Sequence, residues 1–367
     1  MKSLQDSVLM SEIIEEEGNN LVLSSVSNSI GHITLNRPSA LNALNLPMMQ
    51  RLLDLITTWQ NFEGISCILI KGNSPRAFCS GGDLRSVYEA YQSGNIAFLE
   101  RLFRTEYTYN AHLKAFTKPH VALIHGIVMG GGVGASLHGS HRVMTNSTIF
   151  AMPETGIGYF PDIGGTYFLT RCAPEIGLYI GLTGARLSGS DALYAGFATH
   201  YCDESDFNTL ENHLEVSAPL SHQEVDSLLQ DFKKTPPPST LQNNQELLKR
   251  CFLKPTLEGV FEALSKETDS FAKETLTMLT SRSPLSLQIT FHQLTTGQNL
   301  SFNDVMKREF IMSQNLLKKS DFIEGIRAAV IDKDRSPRWS HDSFQDLTQK
   351  DILPYFEKPQ DLTPLDL

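Results

Sequence analysis

The sequence predicts an α/β fold in the first part of the chain and a helical region after it. Two continuous apolar runs, at residues 67–71 (CILIK) and 121–125 (VALIH), have the length and composition of buried strands. Helical stretches at about 47–61 and 96–116 alternate with them, as in a sheet that helices cover. Strand signals end near residue 205, and the periodic segments beyond it are helical.

The first strands are expected to pair with each other. Residues 21–29 and 31–35 resemble paired strands, and Asn28 and Ser29 are residue types that turns accept. The helix predicted at 47–61 then separates this pair from the first apolar run. This alternation of strands and helices supports the α/β assignment.

The boundary between the two parts is expected near residue 240. Residues 235–240 (TPPPST) are a stiff, polar break in the chain. Beyond it, five segments indicate helices: QELLKRCFL, VFEALSKE, SFAKETLTMLTS, LSLQITFHQL and FNDVMKREFIMSQNLL. We therefore expect a core at residues 1–240 and a helical region at 241–367 that packs on it.

Composition and charge weigh against several function classes. The net charge of −10 opposes binding to nucleic acid or to an anionic membrane, and no apolar run approaches the roughly 20 residues of a membrane span. The five cysteines are scattered and form no C-x-x-C pair, which indicates reduced thiols and argues against a zinc site. Residues 1–20 are acidic, unlike a transit or signal peptide. We therefore expect a cytoplasmic protein without a metal.

The segment AFCSGGDL, at residues 77–84, follows the first apolar run after a short loop. Gly81 and Gly82 allow the backbone to approach a ligand, and Asp83 can cap a helix that starts at Leu84. In a purely structural interpretation this is a glycine turn with a helix cap. In a functional one, the N–H of Gly82 points at an oxygen that becomes negatively charged during a reaction.

A second glycine-rich segment, HGIVMGGGVGAS at residues 125–136, follows the second apolar run. Gly130, Gly131 and Gly132 open a helix whose first N–H groups are uncommitted. The spacing of Gly130, Gly132 and Ala135 also satisfies the G-x-G-x-x-A pattern of dinucleotide-binding folds. That pattern needs a turn directly after the strand, whereas here four residues intervene and the helix is short. Two such helix starts predict two donors that converge on one carbonyl oxygen.

Four segments, in this order, resemble those that recur in the crotonase (enoyl-CoA hydratase/isomerase) superfamily. They are RPSALNALN (37–45), AFCSGGDL, HGIVMGGGVGAS and FAMPETGIGYFPDIGGTYFL (150–169). The resemblance covers about residues 19–205, and the segment at 320–339 extends it nearly to the end of the chain. It implies a spiral of stacked ββα units with a helical C-terminal region, and a catalytic core that binds an acyl-CoA. Because CoA is part of the substrate, no separate cofactor is implied.

The resemblance also assigns parts of the binding site. The N–H groups of Gly82 and Gly131 would hold the thioester oxygen. The adenosine and pantetheine would lie along residues 40–43, Ser80, Asp83 and Leu84. The superfamily hosts several reactions, so these features alone do not identify which one follows.

Departures from the superfamily pattern reduce the number of reactions that this chain is expected to catalyse. Hydratases of the superfamily carry one glutamate just after the triple glycine, where this chain has Gly134, and another at the position of Glu154. Asp162 stands where hydratases have glycine. The loss of one acid and the gain of another resemble the 3-hydroxyisobutyryl-CoA hydrolase branch.

Glu154 and Asp162 are the candidate catalytic residues. They would flank the thioester carbon, where one acid activates water or attacks directly to form a mixed anhydride, and the other orients the water or moves protons. In the structural alternative, both acids cap neighbouring turns.

A third acid is expected in the acyl pocket. The apolar stripe of the helix predicted at 96–116 contains Leu99, Phe103 and Leu113. Glu106 and Asn110 fall on the same face, and the hydrolase branch has a substrate-contacting glutamate in a similar R-x-E-Y context. Glu106 would then face the acyl group and bind its hydroxyl. In the structural alternative it pairs with Arg104 or Lys118.

The sequence therefore predicts a thioesterase that acts on a short branched 3-hydroxyacyl-CoA, as in valine breakdown. The alternatives are a hydratase or isomerase of the same superfamily, a non-catalytic CoA-binding or assembly subunit, and, more distantly, a dinucleotide-dependent oxidoreductase. The expected partner is the acyl-CoA substrate, without nucleic acid or membrane. Relatives commonly form trimers or hexamers, so a homo-oligomer is one expectation; a C-terminal region that covers its own core is the other.

Overall fold

A computed structural model of the protein describes residues 17–318 and 320–367. The chain divides into two compact units, each built from three stretches. The first unit contains Met1–Asp83, Arg104–Phe150 and Ser188–Pro237, and the second contains Leu84–Phe103, Ala151–Leu187 and Pro238–Leu367. The expected division into a catalytic core and a helical region at residue 240 stays a prediction.

The strands and helices of the described residues are numbered in chain order. The strands are β1 (Val22–Ser27), β2 (Ile30–Leu35), β3 (Cys67–Gly72), β4 (Ala77–Cys79), β5 (His120–Ile124), β6 (Ile127–Met129), β7 (His141–Met144), β8 (Ile149–Ala151), β9 (Leu187–Ser188) and β10 (His200–Tyr201). The first helices are α1 (Leu46–Gln60), α2 (Leu84–Gln92), α3 (Ile96–Ala115), α4 (Gly131–Leu137), α5 (Gly165–Leu169), α6 (Pro174–Thr183), α7 (Gly189–Tyr194), α8 (Phe207–Ser217) and α9 (His222–Asp231). The later ones are α10 (Thr240–Asn243), α11 (Gln245–Phe252), α12 (Leu257–Ser265), α13 (Ser270–Thr280), α14 (Pro284–Thr296), α15 (Phe302–Leu316), α16 (Ser320–Ile326) and α17 (Gln349–Ile352).

The first unit is built on a six-stranded sheet of order β1-β2-β3-β5-β7-β10. β1 and β2 are antiparallel, and the strands from β2 onward pair in parallel. Asn28 and Ser29 have φ angles of 46° and 62°, the left-handed conformation that a two-residue hairpin turn requires. The predicted strand pair and its turn are therefore confirmed. A second sheet has the order β4-β6-β8-β9.

The core of the first unit lies between the six-stranded sheet and two helices. Alternate residues of β3 and β5 point to the same face of the sheet, so Cys67, Leu69, Val121 and Leu123 are buried together. Residues one turn apart on α8 and α9 cover them: Leu210, Leu214, Val225 and Leu229. The two apolar runs of the sequence are thus strands that are buried because helices cover them.

The second unit is helical. The five helices predicted beyond residue 242 are confirmed as α11 to α15. Ser239, at the end of the predicted break, accepts a hydrogen bond from the Gln242 N–H (3.1 Å) and caps α10. Nearly every residue of α14 between Pro284 and Leu294 is buried, which makes it the central helix of this unit. Within the described residues, no helix has both the length and the apolar character that crossing a membrane requires.

Candidate active site

The two glycine-rich segments of the first unit leave adjacent strands. β4 and β6 pair in parallel, so the segments that follow them start from the same edge of the sheet. After β4, Leu44 donates its N–H to the Gly81 carbonyl (2.8 Å), and the Asp83 N–H donates to the Leu44 carbonyl (2.8 Å). Gly82 lies between these two hydrogen bonds, and its own N–H points away from Leu44. A β-carbon on Gly82 would meet no heavy atom of the described residues within 4 Å.

The second segment opens α4. Gly130 precedes the helix with φ 47° and ψ −123°, a conformation that residues with a β-carbon avoid. A β-carbon built on Gly131 would lie 3.2 Å from the Gly82 nitrogen and 2.6 Å from Glu106 Oε1. The first unit therefore brings Gly82, Gly131 and Glu106 together at one point.

The amides of Gly82 and Gly131 are suited to bind an oxygen. Neither N–H donates to another backbone carbonyl in the part of the chain that the structure describes. Gly131 is the first residue of α4, where N–H groups have no partner within the helix and the helix dipole is positive. Their role as an oxyanion hole stays a prediction.

Glu106 lies on α3 and is 8% exposed. Burial raises the pKa of the neighbouring Cys79 to about 12, and the charge of Glu106 adds to that increase. Cys79 is therefore a thiol at neutral pH and not a nucleophile. Lys118, one predicted partner of Glu106, instead donates to the carbonyls of Trp59 and Phe62, at 2.7 Å each.

Asn110 lies one helical turn beyond Glu106. Its side chain is 1% exposed, and among the described residues neither Oδ1 nor Nδ2 has a hydrogen-bond partner. A buried amide without partners costs about 1–3 kcal/mol of stability for each unsatisfied group. The sequence places Asn110 on the face of Glu106 but does not indicate that its amide is unsatisfied.

In the first unit, two of the segments predicted to contact CoA lie beside each other. The Ser80 N–H donates to the Leu41 carbonyl (3.0 Å), so the segment at 40–43 runs beside the loop after β4. Asp83 forms an ion pair with Arg37 (2.8 Å), a contact that the sequence does not predict. Leu84, the remaining predicted residue, begins α2 in the second unit.

The dinucleotide-binding alternative does not fit the topology. The four residues between the second apolar run and Gly130 include β6. β6 and β7 belong to different sheets, so the segment between them is not the βαβ crossover that a dinucleotide fold requires.

Glu154 begins a short 3₁₀ turn, Glu154–Ile157, in the second unit, and it is 5% exposed. The Thr155 hydroxyl donates to the Leu182 carbonyl (2.9 Å), and the Ser283 N–H donates to the Thr155 carbonyl (3.1 Å). The turn ends at Gly158 with φ 71°, where a β-carbon would lie 2.3 Å from the Asp321 carbonyl oxygen. Neighbouring segments therefore hold the backbone at Glu154 in one conformation.

Asp162 lies in the loop before α5 and is 6% exposed. The two residues that follow it, Ile163 and Gly164, have φ angles of 51° and 88°. The Gly165 N–H donates to the Asp162 carbonyl (2.7 Å), which closes the loop into the helix. The second unit thus buries both candidate catalytic acids in irregular backbone, as the prolines and glycines around them predict.

A third buried acid of this unit is not among the site residues that the sequence predicts. Glu309, on α15, is 0% exposed and accepts hydrogen bonds from the N–H groups of Gly164 (2.7 Å) and Thr166 (2.8 Å). Burial raises the pKa of Glu309 to about 8. A signal was present, because Glu309 falls among the apolar positions of its helix, between Met306 and Phe310.

Within the described residues, no group of three or more His, Cys, Asp or Glu side chains is placed to hold a metal ion. The expectations of no metal and no separate cofactor stay predictions.

Comparison with known proteins identifies the family. The enoyl-CoA hydratase/isomerase family matches residues 30–356. The chain is 41% identical over 324 residues to the mitochondrial 3-hydroxyisobutyryl-CoA hydrolase of Xenopus laevis, which covers 87% of this chain and 84% of the relative.

Two solved structures share the fold. A carnitinyl-CoA dehydratase from Mycobacterium thermoresistibile superposes with a TM-score of 0.88 at 34% identity, covering 94% of this chain and 98% of the other. An enoyl-CoA hydratase from Rhodobacter sphaeroides 2.4.1 gives 0.87 at 34% identity, covering 95% of this chain and 100% of the other. The predicted crotonase-like α/β fold is therefore confirmed.

The expectation of a cytoplasmic location is wrong, because the hydrolases that the chain matches are named as mitochondrial. The five cysteines are free, but free thiols occur in any reducing compartment and do not distinguish one from another. The acidic N-terminal segment also supported the expectation of a cytoplasmic location, but residues 1–16 of it lie outside the described residues.

The order of the four motifs, the fold and the similarity along most of the chain agree with one another. The chain belongs to the 3-hydroxyisobutyryl-CoA hydrolase family of the crotonase (enoyl-CoA hydratase/isomerase) superfamily.

Proposed function

We propose that the protein hydrolyses 3-hydroxyisobutyryl-CoA, or a similar short 3-hydroxyacyl-CoA, to the free acid and CoA in valine degradation. One observation supports this proposal most strongly: Glu154 and Asp162 are both buried in the second unit. This chain has Gly134 at the position where hydratases have the first of their two glutamates. The name of the relatives supports the choice of substrate.

The thioester oxygen would accept hydrogen bonds from the N–H groups of Gly82 and Gly131. Negative charge develops on this oxygen when a nucleophile adds to the carbonyl carbon, and fixed donors stabilise it without reorganisation. The support is the 3.2 Å approach of the Gly82 nitrogen to the β-carbon position of Gly131.

Glu154 and Asp162 would carry out the addition of water. In one route a carboxylate removes a proton from a water molecule while the oxygen of that water attacks the thioester carbon. The tetrahedral intermediate then expels the CoA thiolate, which takes up a proton. In the other route, one carboxylate attacks, CoA leaves, and water hydrolyses the resulting mixed anhydride. A thiolate is a good leaving group, because thiols ionise near pH 8.5.

Glu106 would accept a hydrogen bond from the substrate hydroxyl. Its carboxylate oxygen lies beside Gly131, close to the proposed position of the thioester oxygen. The acyl-CoA would supply CoA itself, so the reaction would need no separate cofactor. Nucleic acid and membrane would not be partners, and self-association stays an expectation.

A hydratase or isomerase of the same superfamily is the second candidate, because the two solved structures carry dehydratase and hydratase names. One experiment separates the two. Purified protein is incubated with 3-hydroxyisobutyryl-CoA while free thiol is measured, and in parallel with crotonyl-CoA while loss of the enoyl absorbance is measured. We expect thiol release without hydration. Rapid hydration with little thiol release would favour the second candidate, and no turnover of either would favour a non-catalytic binding subunit.

A further inference from the structure

The loop that carries Asp162 is held in an unusual backbone conformation. Ile163 is a β-branched residue with φ 51°, a region that such side chains strongly disfavour. Gly164 follows with φ 88°. A conformation of this kind costs of order 1–3 kcal/mol and persists only where neighbouring groups stabilise it.

Glu309 supplies the first of these groups. Its two carboxylate oxygens each accept one backbone N–H, Oε2 from Gly164 (2.7 Å) and Oε1 from Thr166 (2.8 Å). A carboxylate that spans two amides in this way fixes both the position and the direction of the peptide units between them.

Gln293, on α14, supplies the second. Its Nε2 donates to the Pro161 carbonyl (2.7 Å) and to the Thr166 hydroxyl (2.7 Å), on either side of Asp162. The same Nε2 lies 3.5 Å from Glu309 Oε1, so the two side chains belong to one network. Gln293 and Glu309 are both 0% exposed, so these contacts are shielded from bulk solvent.

The Glu309 carboxylate also interacts electrostatically with Asp162. Burial is the main reason that the pKa of Glu309 rises to about 8, and the hydrogen bonds from Thr166 and Gly164 act in the opposite direction. The negative charge of Asp162 adds to the increase. The charge of Asp162 therefore opposes ionisation of Glu309, and a pKa of about 8 leaves Glu309 largely protonated at neutral pH.

We propose that Glu309 is a positioning residue, which holds the 161–166 loop so that Asp162 presents its carboxylate to the thioester. This inference depends on the proposed catalytic role of Asp162. Glu309 itself would not contact the substrate, because both of its oxygens are bonded to the loop. Gln293 would assist by holding the two ends of the same loop.

The test is a double-mutant cycle between Glu309→Gln and Asp162→Asn. Thiol release from 3-hydroxyisobutyryl-CoA is measured for the wild type, both single variants and the double variant, with kcat and KM determined separately. Glu309→Gln keeps the size of the side chain but replaces one acceptor with a donor that faces an N–H group. We expect kcat to fall roughly 10- to 100-fold with KM nearly unchanged, since small misplacements of a catalytic group have effects of this size.

In the Asp162→Asn background, the same change should cause no further loss, because the group that Glu309 positions is already absent. Glu324→Gln is the matched control. Glu324 is another carboxylate of the second unit; it accepts a hydrogen bond from the backbone N–H of Arg338 (2.8 Å) and forms an ion pair with Arg327 (2.7 Å). It should leave kcat unchanged. If Glu309→Gln does not fold, Gln293→Met removes the other half of the network and should show the same pattern.

The outcomes separate the two proposals. Wild-type kcat in Glu309→Gln, or an equal loss in both backgrounds, overturns the positioning role and leaves the role of Asp162 intact. Full turnover in Asp162→Asn overturns the assignment of Asp162, and the inference with it. A loss in Glu309→Gln that disappears in the double variant supports both.

Discussion

Gly131 shows how closely the first unit packs around the proposed oxyanion hole. A β-carbon there would approach Glu106 Oε1 to 2.6 Å and the Gly82 nitrogen to 3.2 Å, so Glu106 would have to move. We expect Gly131→Ala, which keeps the N–H but displaces Glu106 and crowds the oxygen site, to lower kcat by roughly 10²-fold, the effect of a misplaced group. Gly259→Ala, on α12, is the control, because a β-carbon there makes no contact closer than 3.2 Å. Normal kcat in Gly131→Ala would contradict the assignment.

Asn110 leads to a prediction about stability. Replacing it with leucine, of similar size, removes two unsatisfied polar atoms from a site that is 1% exposed. We expect Asn110→Leu to increase the free energy of unfolding by about 1–3 kcal/mol, measured by denaturant titration. A loss of stability would mean that the amide makes contacts in solution that the structure does not show.

At the residue scale, the sequence predicts chemistry better than contacts. Glu154, Asp162 and Glu106 are recognisable because acids interrupt apolar or turn-forming segments, and the structure buries all three. Glu309 is missed because its importance depends on backbone N–H groups about 145 residues earlier in the chain. The helical period indicates that Glu309 is buried, but no local pattern indicates which groups it contacts.

At the scale of elements, the histidines of the six-stranded sheet lead to a pH prediction. His120 begins β5 and His141 begins β7, and burial lowers the pKa of each to about 4. The groups that face them are His200, His222 and Asp226, and an Asp226 carboxylate oxygen lies 3.1 Å from His141 Nε2. The unfolded chain takes up protons at these histidines below about pH 6.5, whereas the folded chain does so only near pH 4.

Stability should therefore fall as the pH decreases from about 6.5 to 4, because the unfolded state binds more protons in this range. We expect His120→Leu to reduce this dependence by an amount of order 1–3 kcal/mol, since burial opposes protonation of this ring and neither of its nitrogens has a hydrogen-bond partner in the described part of the chain. Unfolding free energies measured at several pH values test this. The control is His213→Leu, a histidine on α8 in the same unit. An unchanged pH dependence in His120→Leu would contradict the prediction.

Elements with strong local signals agree closely with the sequence. β3, β5 and the helices α11 to α15 each come from an uninterrupted apolar run or a helical period, which depend on neighbouring residues alone. β6 is different: it has three residues, too few for a period, and is a strand because it pairs with β4. Short strands defined by a distant partner cannot be predicted from local pattern.

At the scale of the whole molecule, the sequence and the comparisons agree on the fold, but the chain path is less simple than the sequence indicates. The second unit combines Leu84–Phe103 and Ala151–Leu187 with the C-terminal helices. Composition changes near residue 240, whereas the assembly of these three stretches depends on packing between residues far apart in the chain. The candidate catalytic acids Glu154 and Asp162 thus belong to the unit that contains the C-terminal helices.

Glu154 and Asp162 are proposed to hydrolyse the thioester together. The most direct measurement is the rate of thiol release from 3-hydroxyisobutyryl-CoA by the wild type, Glu154→Gln and Asp162→Asn, with CoA affinity and thermal stability measured alongside. Both substitutions preserve size, so folding and CoA affinity should change little, while turnover should fall by roughly 10²-fold or more in each. Full turnover in either variant would contradict the role of that acid in the reaction.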